Sequence, residues 1–142
     1  MPSRQRVQQL VDMVERGQFV EALQEFYAED ARTWENHEPP KVGLPRLIRD
    51  ERKVMATFRT IDSKLVDDFL VQGDRAVLRW RFEFTHALGL RIVMDELAYQ
   101  LWRGDRIVEE RFYYDSAELP LSALRRFGRR LARLFRGGSG GA

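Results

Sequence analysis

Apolar residues recur at helical spacing through the first third of the chain and at strand spacing through most of the rest. In "RQRVQQLVDMVERG", Val7, Leu10, Val11 and Val14 share one face of a 3.6-residue repeat, and Gly17 stops it. "FVEALQEFYAED" predicts a second short helix with Val20, Leu23 and Phe26–Tyr27 on its buried face. "TWENHEPPKVG" reads as a loop, because Pro39-Pro40 and Gly43 interrupt regular structure. "LPRLIRDERKVMATF" predicts a third helix, with Pro45 in its first turn and Leu47, Ile48, Met55 and Phe58 as its apolar stripe.

The period then changes to two. "TIDSKLVDDFLVQ" runs as a strand to a turn at Gly73-Asp74. In "RAVLRWRFEFT", Ala76, Leu78, Trp80, Phe82 and Phe84 alternate with Arg75, Arg79, Arg81, Glu83 and Thr85. "LRIVMDELAYQLW" and "RIVEERFYYD" follow, separated by a turn at Arg103-Gly104-Asp105. Short turns between long strands imply an antiparallel meander. The pattern as a whole predicts an α+β fold: three helices packed on a sheet of about four long strands, which can enclose an apolar pocket.

Asp95 and Glu96 stand side by side inside one of these apolar strands. Neighbouring strand residues point to opposite faces, so one carboxylate must face the interior, where an unpaired charge is costly.

Composition narrows the classes. A chain of 142 residues with 44% hydrophobic residues, nine Phe, four Tyr and three Trp makes one domain with a substantial core. It contains no cysteine, which excludes disulfides, thiolate metal sites and cysteine nucleophiles. A polar N-terminus without a membrane-length apolar run leads to the expectation of a soluble, cytoplasmic protein. Residues 1–118 carry 22 acids against 18 Lys and Arg, whereas 119–142 carry six Arg and no acid. The net charge of +2 thus hides an acidic body and a basic tail.

The segments "FYAEDARTWEN", "EPPKVG", "GDRAVLRWRFEF" and "WRGDRIVEERFYYD" resemble the SnoaL-like and ketosteroid isomerase-like proteins of the nuclear transport factor 2-like superfamily. The resemblance spans about residues 5–116 and implies a cone-shaped α+β fold with a curved, mainly antiparallel sheet. It places the general-base carboxylate near Glu35. The oxyanion-donating tyrosine falls on Val11 and its partner acid on Ala98, so that family's enolate-stabilising hole is absent here. If Ala98 faces the pocket, so do Met94, Glu96, Gln100 and Trp102, while Asp95 faces out. On the last strand Glu110, Phe112 and Tyr114 share the inner face.

The candidate catalytic residues are therefore Glu35, Glu96 and Glu110, in a pocket walled by Trp34, Leu78, Trp80, Phe82, Phe84, Met94, Trp102, Phe112 and Tyr114. Apolar surroundings and like charges raise carboxylate pKa values and suit them to proton transfer near neutral pH. The alternative is that each acid pairs with a helix arginine such as Arg46, Arg49 or Arg52. His37 and His86 lack ligand spacing, and neither a metal nor an organic cofactor is implied.

Asp95, Leu97, Tyr99, Leu101 and Tyr113 on the outer sheet face suit a homodimer contact. Residues 119–136 read as a basic amphipathic helix that contacts another subunit, an anionic membrane or RNA. Residues 137–142, "GGSGGA", read as a flexible linker of native or engineered origin. Three functions stay open: a cofactor-free isomerase or hydratase acting on a small apolar molecule, a non-catalytic binder of such a ligand, and an assembly protein.

Overall fold

A computed structural model describes residues 1–118; the expected basic helix and Gly/Ser tail, and with them any contact to a subunit, membrane or RNA, lie outside the described residues. Three helices, α1 (Arg4–Glu15), α2 (Phe19–Phe26) and α3 (Leu44–Thr57), cover one face of a sheet. Its strands are β1 (Tyr27–Glu35), β2 (Lys41–Val42), β3 (Phe58–Leu65), β4 (Leu70–Gln72), β5 (Arg75–His86), β6 (Arg91–Arg103) and β7 (Arg106–Tyr113). Among the described residues no helix is long and apolar enough to cross a membrane.

The helices start and stop for local reasons. The Ser3 hydroxyl accepts from the Arg6 N–H at 3.0 Å and caps α1. Gly17 closes it at φ +75°, a conformation that costs a side-chain-free residue little. Pro45 sits in the first turn of α3, where its missing N–H leaves no helical bond unmade. The inward stripe of α3 differs from the one expected: Leu47 is buried and Val54 lines the interior, whereas Met55 is exposed.

The sheet order is β2-β1-β7-β6-β5-β3, with β4 also on β5. It therefore has seven strands, not about four. The difference arises in two places. "TWENHEPPKVG" is not wholly loop, because β1 runs through Thr33–Glu35 and pairs with Lys41–Val42 across a turn. "TIDSKLVDDFLVQ" is two strands, broken where Asp67 takes φ +63°. The pairing is antiparallel except that β1 lies parallel to β7.

Val7, Leu10, Val11 and Phe26 from the helices meet Ala76, Leu78, Ala98, Trp102 and Ile107 from the sheet in the main core. A second cluster, Phe58, Phe84, Ile92 and Met94, closes the far end of the sheet. Burying these side chains is the main favourable contribution to folding.

Candidate functional site

A cavity of about 190 Å³ lies between the helices and the inner sheet face. Its apolar wall includes Leu10, Leu23, Leu47, Val54, Trp80, Phe82, Phe84, Met94 and Phe112. Trp80, Phe82 and Phe84 alternate along β5 and lie ring beside ring, with centroids 5.9 Å apart at each step.

Four glutamates reach the cavity from four elements: Glu35 (β1), Glu51 (α3), Glu96 (β6) and Glu110 (β7). Strand register explains three of them. Glu96 sits opposite Trp80, and Gln100 opposite both Ala76 and Glu110. Thr33 neighbours Glu110, and Glu35 neighbours Phe112. Asp95, one residue from Glu96, is exposed, while Glu96 keeps only 8% of its surface.

Glu110 reaches the inner face through an irregularity. Ile107 is buried, and strict alternation from it would turn Glu109 inward. The pairing with β6 shifts between Leu101 and Trp102, which leaves Val108 as an extra residue and turns Glu110 in.

The four acids differ in how they are held. Glu110 is 2% exposed and both its oxygens are bonded. Tyr27 donates its hydroxyl to one, and Gln100 donates to the other at 2.5 Å. The Trp102 indole donates to the Gln100 carbonyl at 3.0 Å and so fixes which way that amide points. Burial pushes the Glu110 carboxyl up to about 7, and the two hydrogen bonds restrain the rise. Burial likewise holds the Tyr27 hydroxyl well above the usual range, helped by the adjacent Glu110 charge.

Glu35 and Glu96 have no such support. One Glu35 oxygen is buried without a hydrogen-bond partner among the described residues. Burial raises the Glu35 carboxyl to about 7, eased by Lys41 and reinforced by Glu51, Asp50 and Glu38. No hydrogen bond or ion pair ties Glu96 to another described residue. Burial, then Glu35, Glu110 and Glu51, drive its carboxyl well above the usual range. Glu51 is raised to about 7 by burial, again eased by Lys41.

Arginine pairing does not account for these acids. Arg46 and Arg49 approach Asp50 instead, at 3.7 and 4.0 Å, and Arg52 is exposed. The positive group that acts on the cavity acids is Lys41, itself 3.8 Å from Asp50.

Four residues expected at the wall lie elsewhere. Trp34 alternates with Thr33 and Glu35, so it faces out, with the Arg111 guanidinium 4.0 Å from its ring centre. Leu78 is fully buried in the main core. Trp102 is buried edge-on to Phe26 and reaches the site through its hydrogen bond to Gln100. Tyr114 lies beyond the end of β7, where its N–H donates to Asn36, and packs on the second cluster. His37 lies in the turn after β1 and His86 at the end of β5, where its Nδ1 accepts from the Leu88 N–H. Val11 and Ala98 are buried and apolar, so neither supplies an oxyanion donor.

Tyr27, Glu51 and Lys41 were not among the expected site residues. Tyr27 follows the last residue of α2 and opens β1. Glu51 stands four residues after Leu47 and three before Val54, a spacing that marks the inward face of α3.

The family model of the SnoaL-like domain matches residues 7–110. No curated protein matches the chain. Among solved structures, a protein from Mesorhizobium loti described as a SnoaL-like polyketide cyclase is 24% identical, with a TM-score of 0.68. That match covers 80% of this chain and 100% of the other. A nuclear transport factor 2-like protein from Burkholderia pseudomallei is 18% identical over 85% of this chain and 93% of its own, with a TM-score of 0.69. A protein of ketosteroid isomerase-like fold from Catenulispora acidiphila, in complex with trimethylamine, is 13% identical over 82% and 90%, with a TM-score of 0.69. At these identities the likeness establishes the fold.

Proposed function

The chain belongs to the SnoaL-like family, and on that premise we propose that it performs cofactor-free acid–base chemistry on a small, largely apolar molecule held in the cavity. The carrying observation is a buried Glu35 oxygen that no described residue satisfies, on a side chain that lines a cavity with aromatic walls. A group so placed is free to meet a substrate proton. Its carboxyl at about 7 matches the pKa that general-base catalysis favours near neutral pH.

In this reading Glu35 accepts a proton from a carbon next to an electron-withdrawing group, and the electron pair of that C–H bond moves onto the substrate. Glu35 then returns the proton to a different carbon, so the product is an isomer and nothing is consumed. Glu96 meets the substrate's polar group. Glu110 anchors Tyr27 and Gln100, which set the shape of that end of the cavity. A related fold that holds trimethylamine, and another described as a polyketide cyclase, support reading the cavity as a small-molecule site. Self-association of the chain would use the outer sheet face, where Leu97, Tyr99 and Tyr113 are exposed.

The test is exchange of α-protons of small ketones such as phenylacetone, and of aminoketones of similar size, in deuterated water, followed by NMR. The wild-type chain should exceed buffer, with a rate that rises through about pH 7 as Glu35 ionises. Glu35→Gln should lose roughly 100-fold or more and the pH dependence with it. Exchange no faster than buffer across a ketone panel would refute proton transfer and leave a binding protein.

A further inference from the structure

We infer that the ligand of this cavity is a small apolar amine bound in its ammonium form. This rests on reading the cavity as a small-molecule site and adds the chemical class of the molecule.

Charge on the cavity wall favours a cation. Among the described residues, Glu35, Asp50, Glu51, Glu96 and Glu110 line one cavity together with a single cation, Lys41. That cation is engaged at its own end, 3.8 Å from Asp50. Burial raises the Glu96 carboxyl first, and the charged described residues that add to it are all acids: Glu35, Glu110 and Glu51.

The state of the side chains points the same way. Glu96 is 8% exposed, lines the cavity and has no hydrogen-bond or ion-pair partner among the described residues. A buried carboxyl of this kind is costly unless something compensates it, and a protein that needed only stability would place an apolar residue there. Glu35, which lines the same cavity, leaves a buried oxygen unmatched among the described residues. Glu110, fully bonded to Tyr27 and Gln100, shows how this fold satisfies a carboxylate when its role is structural.

The wall suits the same ligand. Trp80, Phe82, Phe84 and Phe112 present ring surface beside these acids, which suits both an apolar body and a cation. Size agrees: a cavity of about 150 Å³ accepts benzene, so 190 Å³ takes an aromatic ring with a short arm. An anion would oppose ionisation of Glu96 and its neighbours, with Lys41 the one cation on the cavity wall, among the described residues, to receive it. An ammonium would instead let these carboxyls ionise, so binding should release protons to the solvent.

Calorimetry with the full chain at pH 7.5 tests this with three probes of one shape: benzylamine, benzyl alcohol and benzoate. Benzylamine should bind at least 10-fold more tightly than benzyl alcohol, and benzoate should not bind measurably. Titrations in buffers of different ionisation enthalpy should show proton release with benzylamine alone. Glu96→Gln, confirmed as folded by its thermal melt, should bring the benzylamine and benzyl alcohol affinities together. Equal or tighter binding of benzyl alcohol to the wild-type chain, or an amine preference that survives Glu96→Gln, would overturn the ammonium assignment while leaving a small-molecule site. Failure of all three probes to bind would overturn both.

Discussion

The two faces of one sheet treat carboxylates in opposite ways. On the outer face and along the edges, three acids are matched to arginines: Glu83 to Arg91 at 2.7 Å and Arg81 at 3.7 Å, Asp67 to Arg79 at 3.4 Å, Asp30 to Arg103 at 3.2 Å. The arginines hold the Glu83 carboxyl below its ordinary range. On the inner face, one residue away in the alternation, Glu96 meets other acids and aromatic rings and is driven up. The outer arrangement suits a solvated surface. The inner one keeps carboxyls raised into or above the neutral range at a cost in stability, an arrangement that clusters at functional sites.

The largest effect should come from removing the one inner acid that is satisfied. Glu110→Ala strands the buried Tyr27 hydroxyl and the Gln100 amide together. It should cost about 2–4 kcal/mol in denaturant unfolding. Tyr27→Phe should cost less, and by removing a bond that lowers the Glu110 carboxyl it should move that group further upward. A loss for Glu110→Ala no greater than for an outer-face acid would erase the distinction between the faces.

Next in size is the response to pH. Glu35, Glu51 and Glu110 are raised from 4.5 to about 7, and Glu96 is raised as well. Between these values the folded chain holds more protons than the unfolded one, so stability falls as pH rises. The stability from these groups is fully present below 4.5 and lost through about 7. Each contributes a slope of at most about 1.4 kcal/mol per pH unit. Glu96→Gln removes one such group, so the variant should gain on the wild type as pH rises. A wild-type stability that climbs steadily from pH 4.5 to 8 would mean the inner acids are not held as described.

How much of this is legible in the sequence depends on which residues face inward. The change of period from α3 to β5 announces the layered fold, because Leu78, Trp80 and Phe84 are both inward and apolar. The side-by-side Asp95 and Glu96 announce an inward acid for the same reason. Strand β1 is hidden because its inward positions include Thr33 and Glu35, so the alternation that would mark a strand reads as polar loop. Glu51 is hidden in the charged run "RDERK", although its spacing from Leu47 and Val54 carries the signal. Tyr27 is hidden because the helix ends one residue before it. The unread residues are largely those that line the cavity, where function replaces the local pattern that makes structure readable.

The smallest effect should appear on the outer face, and salt should identify it. Glu83→Gln removes the partner of Arg91 and Arg81 at a position in contact with solvent. Mobile ions screen such pairs over a Debye length of about 10 Å at 0.1 M and about 3 Å at 1 M. The variant should therefore melt slightly below the wild type at low salt and together with it at high salt. Glu110→Ala should keep its deficit at both, because its lost partners are buried Tyr27 and Gln100 hydrogen bonds that bulk ions do not replace. Measuring both variants at two salt concentrations separates the faces in one experiment. A Glu83→Gln deficit that persisted at high salt would mean Glu83 is held by more than its two arginines, and the contrast between the faces would be one of degree.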